Sequence, residues 1–248
     1  MNLISVLQNH RSIRNYKSEP INDELLEKVL IAGCRASTTG NMQVYSIINT
    51  TSKELKEQLA PIHFNQKMIL QAPNVLTFCA DFNRFKLWCI VNDAIPGYDN
   101  FLSFITAAID AILVSQNVVV AAESEGLGIC YIGTTIYNAE KIIGILNLPK
   151  GVVPIVTLTI GWPDEKPTQT DRLPLKAILH QEIYKDYTSE DISKYYREKE
   201  KLHENIQFVK ENEKKTLAQV FTDIRYSKAD NEFFSTKLIQ VLKDQGFL

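Results

Sequence analysis

The stretch SFITAAIDAILVSQNVVVAAESEGLGICYIGTT, from Ser103 to Thr135, decides how the rest of the chain is read. Most of it is a long helix in which Phe104, Ile105, Ile109, Ile112, Leu113, Val118 and Val119, with several alanines, cover most of the circumference. A helix apolar nearly all round is normally buried on every side. A membrane span is a poor reading, because Asp110 at mid-depth costs about 2.5 kcal/mol or more, and Ser115, Gln116 and Asn117 follow it. The segment is predicted to be a central core helix, open to being shared between two subunits. Gly126 stands where a left-handed C-terminal cap is wanted. Residues 128–133 then read as a short strand with glycine at both ends, where a flat ligand can approach the backbone.

Outward from this element, 248 residues allow one large or two small domains. With 45% hydrophobic and 23% charged residues the composition is that of a globular protein. A net charge of −2 gives no general attraction for nucleic acid or acidic membranes, so any bound anion needs a local cationic cluster. The four cysteines, Cys34, Cys79, Cys89 and Cys130, form no CxxC pair and are expected as reduced, buried thiols. The start MNLISVLQNHR has no basic region ahead of an apolar run, and a soluble cytoplasmic protein is expected.

In chain order, a short amphipathic helix over 2–8 leads into His10-Arg11-Ser12-Ile13-Arg14-Asn15-Tyr16. In extended or irregular backbone Arg11 and Arg14 can both reach one anion while Ile13 turns inward, and guanidinium forks suit phosphate; on this fragment alone an exposed basic turn is the commoner reading. Asn22 is a candidate N-cap for a helix to about Gly33. The loop Ser37-Thr38-Thr39-Gly40-Asn41-Met42-Gln43 is rich in hydroxyls and amides able to serve a polyol or phosphate. A strand over 44–49 and a helix from the capping-box spacing at Thr51–Glu54 follow. His63 is expected as a partly exposed loop residue, residues 75–80 as a strand, and 81–100, with Trp88 and Tyr98, as an irregular excursion. Asn138 is expected to cap a helix ending before Pro149, and 152–160 to be a strand buried on both faces. Residues 189–215 read as one or two solvated helices, and 232–245 as a last helix with Phe233, Phe234, Leu238, Val241 and Leu242 on its apolar face. The expected organisation is therefore an α+β core over 1–188 with a helical extension over 189–248.

Spacing removes several chemistries: there is no GxxxxGK[ST], no GxSxG, no strand followed by GxGxxG, no HExxH and no metal-ligand spacing. What remains is Arg11, Arg14 and Arg172, the 37–43 loop and a glycine-flanked strand, a set suited to a cofactor that does its own chemistry.

The segments HRSIRNY (10–16), RASTTGNMQ (35–43), FCADFNR (78–84), QNVVVAAESEGLGICYIG (116–133), LTIGWP (158–163), RLP (172–174) and the ending LKDQGF together resemble the nitroreductase superfamily, most closely its oxygen-insensitive NADPH nitroreductase and flavin reductase branch. The resemblance implies a nitroreductase-like α+β fold with a central, mostly antiparallel sheet, and a homodimer with FMN held non-covalently at the subunit interface. His10, Arg11, Ser12 and Arg14 would hold FMN, with Arg11 and Arg172 near the phosphate and Arg14 at the pyrimidine edge, where negative charge gathers on reduction. Ser37, Thr38 and Thr39, with Gln43 in the same loop, would approach the phosphate and ribityl chain from the partner subunit. Gln66 would meet the ring's polar edge, and Tyr131, Ile132, Gly133 and Thr134 would lie against the flavin. The activity implied is a ping-pong cycle in which NADPH or NADH reduces FMN and a nitroaromatic, quinone or free flavin takes two electrons. A flavin-binding carrier or sensor without turnover is the alternative. Two departures stand out. Thr170 occupies the place of the branch's usual lysine before RLP, with Lys166 further upstream, and only Lys214 and Lys215 lie where relatives carry arginines for the NADPH 2′-phosphate.

Overall fold

The computed structural model describes residues 2–248. Its elements run α1 (Leu3–Gln8), α2 (Asp23–Gly33), β1 (Tyr45–Thr50), α3 (Lys53–Ile62), α4 (Met68–Gln71), β2 (Asn74–Asp81), α5 (Asn83–Val91), α6 (Phe101–Ser124), β3 (Gly128–Ile132), α7 (Ala139–Ile145), β4 (Val152–Gly161), α8 (Ser189–Glu200), α9 (His203–Glu211), α10 (Leu217–Val220) and α11 (Lys228–Gln245). The strands form one antiparallel sheet in the order β1-β2-β4-β3. The central strands β2 and β4 are buried almost throughout, which is why they read as continuous apolar runs. Pro154 is accommodated where the β2–β4 register slips, between Phe78 opposite Val156 and Cys79 opposite Pro154, so its missing N–H falls at a bulge.

The protein divides into two compact units, Met1–Thr168 with Phe234–Leu248, and Gln169–Phe233. In the first, α6 packs its inner flank onto the sheet and α2 through Phe104, Ala107, Ala111, Val114, Val118 and Ala122. The crossing with α2 is close: a Cβ on Gly33 would lie 2.2 Å from Val118 Cγ2. Gly126 ends α6 at φ +83, the left-handed cap its position calls for. The second unit holds α8 and α9, the two polar helices expected over 189–215; Thr188 and Asp191 cap α8 reciprocally.

Several expectations are corrected. The helix α6 is not buried all round: Leu102, Ile105, Ile109, Ile112 and Leu113 are exposed on its outer flank. It is long and apolar enough to cross a membrane, but its inner flank belongs to the core and Asp110 is wholly buried within the fold. The 81–100 segment is not simply irregular. It contains α5, whose Phe85 packs edge-on to Tyr98 with centroids 5.3 Å apart, while Trp88 remains exposed. The capping residue of α3 is Ser52, which accepts from Leu55 N–H at 3.2 Å. Asn138 caps nothing with its side chain; its amide instead donates to the Ile62 carbonyl at 2.9 Å. The last helix starts earlier than expected, at Lys228, and Phe233 is exposed. Cys34, placed just after α2, is exposed, whereas Cys79, Cys89 and Cys130 are buried free thiols. Burial pushes the Cys79 thiol up to about 12.

Candidate functional site

The edge strand β3 organises the site. Residues 11–16 run along its outer edge: Ser12 bridges Ile129 in parallel, and Ile13 N–H donates to the Ile129 carbonyl at 2.8 Å. Ile13 turns inward and is buried, as the sequence suggests. Gly128 makes room for it, since a Cβ there would sit 2.7 Å from Ile13 Cγ1. Tyr16 anchors the end of the segment, its hydroxyl donating to the Ile13 carbonyl at 2.7 Å and meeting Thr159 Oγ1 at 2.8 Å. Burial raises the Tyr16 phenol's pKa, so it remains protonated at neutral pH.

The arginines are presented differently. Arg11 is half-buried; its Nη1 donates to the Asn9 carbonyl at 2.8 Å, while its Nε is buried with no hydrogen-bonding partner. It lines a cavity of about 240 Å³ together with Lys166, Glu123 and Glu165. Both carboxylates are already engaged. Glu123 Oε1 lies 2.7 Å from His10 Nδ1, and Glu165 accepts from the backbone N–H groups of Arg14 and Asn15 and from the Asn15 side chain at 2.6 Å. The Arg14 N–H, with the further bonds from Asn15, holds the Glu165 carboxyl below the usual carboxylate range. Arg11 and Lys166 are the cationic residues that line this cavity, and both side-chain types donate to anions. The Arg14 side chain is exposed, close enough to Cys130 and Glu165 to act on both electrostatically.

At the other end of β3, Gly133 is exposed and Thr134 half-buried. Thr134 Oγ1 lies 2.9 Å from His63 Nδ1, and Gln66 Nε2 donates to the His63 carbonyl at 3.1 Å, which brings Gln66 and Thr134 to one place. His63 is not partly exposed as expected: the ring has no accessible surface, and desolvation pushes its pKa down to about 4. Tyr131 points its phenol at α6, 2.9 Å from Ser115 Oγ, and the Ile132 side chain is core.

The 37–43 loop lies elsewhere in the first unit. Gly40, Asn41 and Gln43 have left-handed backbone, and the buried carboxyl of Asp110 accepts from Thr39 N–H at 3.0 Å and Val44 N–H at 3.4 Å. Arg84 donates to the Gln43 and Tyr45 carbonyls. Ser37, Thr39 and Gln43 are exposed and Thr38 is half-buried. Gln43 borders a cavity with Cys34, Tyr45 and Arg84, not the one lined by Arg11. Arg172 belongs to the second unit, where its Nη1 donates to Thr170 Oγ1 at 2.8 Å. In that unit Lys214 is paired with Asp223 at 2.9 Å. Sequence reasoning gave no role to Glu123, Glu165 or Arg84, although Glu123 and Arg84 fall within the quoted segments; their long-range partners are 39 to 151 positions away.

An antiparallel α+β core with a cationic, glycine-flanked strand edge defines a protein built to hold an anionic, flat cofactor. The family is settled by similarity: residues 7–162 match the Nitroreductase family, and the chain belongs to it. It is 36% identical over 192 residues to the oxygen-insensitive NADPH nitroreductase of Salmonella typhimurium, covering 77% of this chain and 78% of that protein. It is also 36% identical over 190 residues to an FMN reductase [NAD(P)H] of Bacillus subtilis, covering 73% and 74%. The crystal structure of a Bacteroides fragilis protein, 52% identical, superposes with a TM-score of 0.97 over 98% of this chain and 99% of that one.

Proposed function

We propose that this protein is an FMN-dependent NAD(P)H oxidoreductase that reduces nitroaromatics, quinones or free flavin in a two-electron ping-pong cycle. The observation that carries this reading is the cavity beside β3 that Arg11 and Lys166 line together, the Arg11 Nε being a buried donor without a partner. That donor set fits a phosphate monoester, and the identity to an FMN reductase names the flavin. Bound FMN would supply hydride acceptance from NADPH or NADH and delivery of two electrons to the acceptor.

The chain's own residues bind and orient. Arg11 and Lys166 hold the phosphate, Lys166 serving where Thr170 leaves the usual lysine absent. His10 and Ser12 flank Arg11 on the β3 edge, and Arg14 offers positive charge to the ring's pyrimidine edge. Gln66, Gly133 and Thr134 meet the ring's polar side, with Tyr131 and Ile132 contributing backbone. Gln43 borders a different cavity from Arg11 within one chain, which supports the 37–43 loop, with Ser37, Thr38 and Thr39, serving the second site of a homodimer. The exposed outer flank of α6, with Leu3, Ile4 and Leu7 of α1, is apolar surface suited to that pairing. Free thiols support a cytoplasmic place of work. The core of the fold is read as 1–188 with the helical extension 189–248.

The test is direct. Protein incubated with FMN and desalted should be yellow, and anaerobic NADPH or NADH should bleach it promptly; a colourless protein, or a flavin that neither nucleotide bleaches, rejects the reading. Arg11→Ala and Lys166→Ala should each weaken FMN binding about tenfold or more, since a hydrogen bond to a charged group contributes about 1.5–3 kcal/mol.

A further inference from the structure

The loop after α3 buries a histidine to which the proposed function gives no role. His63 is held on all sides: its N–H donates to the Leu59 carbonyl at 3.1 Å, and its carbonyl accepts from Gln66. Its ring touches the site at one point, the 2.9 Å contact between Nδ1 and Thr134 Oγ1. The other nitrogen, Nε2, is sealed from solvent and meets no hydrogen-bonding group among the described residues. The ring is neutral at pH 7 because desolvation depresses its pKa to about 4, so it carries one N–H to be placed.

Two tautomers are available, and they cast Thr134 in opposite roles. With the proton on Nε2, a donor is buried without an acceptor, and Thr134 must spend its hydroxyl hydrogen on Nδ1. With the proton on Nδ1, the only unused group is an acceptor lone pair, and Thr134 Oγ1 accepts. Unpaired buried N–H groups are rarer than under-used acceptors, which favours the Nδ1-protonated ring.

We infer that His63 donates from Nδ1 to Thr134 and thereby fixes the Thr134 hydroxyl as a hydrogen-bond donor toward whatever lies beyond Gly133 at the end of β3. Resting on the proposed function, the acceptor would be a carbonyl oxygen of the flavin ring, which gains negative charge on reduction. His63 is a positioning residue: it touches no ligand and works through Thr134. Such a donor strengthens its bond as the ring becomes negative, and so favours the reduced over the oxidised cofactor.

Two measurements test this, and the first needs no cofactor. The full-length protein labelled with 15N in its four histidine rings is studied by NMR at pH 7–8, the His63 signals being assigned by their loss in His63→Gln and by their displacement in Thr134→Val. A neutral, Nδ1-protonated ring is expected; an Nε2-protonated ring or an imidazolium overturns the inference. In the second, the midpoint potential of FMN bound to Thr134→Val and Thr134→Ser is compared with the parent. Val should weaken the preference for reduced over oxidised FMN about tenfold, or about 30 mV for a two-electron couple, while Ser keeps the parent value. Unchanged potential in Val, with FMN bound, overturns the donor role. Failure to bind FMN at all removes the functional reading and leaves the ring tautomer to judge His63.

Discussion

Two stretches of the first unit carry candidate cofactor ligands, and they are held by different physics. Residues 11–16 are bonded along the edge of β3 by backbone groups, with Ile13 and Tyr16 sunk into the core. The 37–43 loop has no strand to lean on. It adopts left-handed backbone at Gly40, Asn41 and Gln43 and is tied down chiefly by Asp110, buried at the middle of α6, and by Arg84. The first stretch distributes its hold over many small contacts; the second concentrates it in two side chains. A substitution should therefore hurt locally in the first and collectively in the second.

The sharpest way to break that contrast is Asp110→Ala. It leaves the Thr39 and Val44 N–H groups without their acceptor, and two hydrogen bonds to a buried carboxyl amount to about 3–4 kcal/mol. The urea midpoint should fall accordingly, and protease cleavage should appear within 37–43 before the rest of the chain. An unchanged midpoint would mean the loop is held by something else. Next in size comes the support under the far end of β3. His63 has a folded pKa of about 4 against an ordinary 6.5, so below pH 6.5 the unfolded chain takes up a proton that the folded chain refuses. Stability from this group is fully present above pH 6.5 and lost as pH falls toward 4, by up to about 3 kcal/mol. Urea melts at pH 7.5 and 4.5 should show this loss in the parent and a smaller one in His63→Gln.

These two side chains also mark where sequence reading succeeds and fails. Strands β2 and β4 were legible because continuous apolar runs encode burial on both faces, and the end of α6 because Gly126 supplies the φ its cap needs. Asp110 stood out as a lone acid in an apolar helix, but its partners Thr39 and Val44 lie 71 and 66 positions away, so its purpose was not legible. Both flanks of α6 are apolar, chiefly alanine and valine inward and isoleucine and leucine outward, and no periodicity could say which faced the sheet. Helix α5 was missed because its apolar residues share no single face. His63 sits in a polar local context, and only the folded chain reveals the Thr134 contact that buries it. HRSIRNY was legible as a cationic motif, whereas the carboxylates that share its cavity, Glu123 and Glu165, are paired with their partners only by the fold.

The last test sets the glycine that opens β3 against the one that follows it. A methyl at Gly128 would lie 2.7 Å from Ile13 Cγ1, and Ile13 cannot swing aside without giving up its bond to the Ile129 carbonyl. Gly128→Ala should therefore cost about 1–3 kcal/mol and lift the 11–16 stretch, weakening FMN binding as a consequence of lost structure. At Gly133 a methyl meets nothing within 4 Å, so Gly133→Ala should change stability by no more than about 0.5 kcal/mol. If a flat ring lies over that end of the strand, the same methyl intrudes on it, and FMN affinity falls while the melting curve does not. Loss of affinity in both variants, with loss of stability only at position 128, would show that one end of β3 holds the scaffold and the other the ligand. Equal stability losses at both would remove the distinction, because Gly133 would then be a packing residue like Gly128.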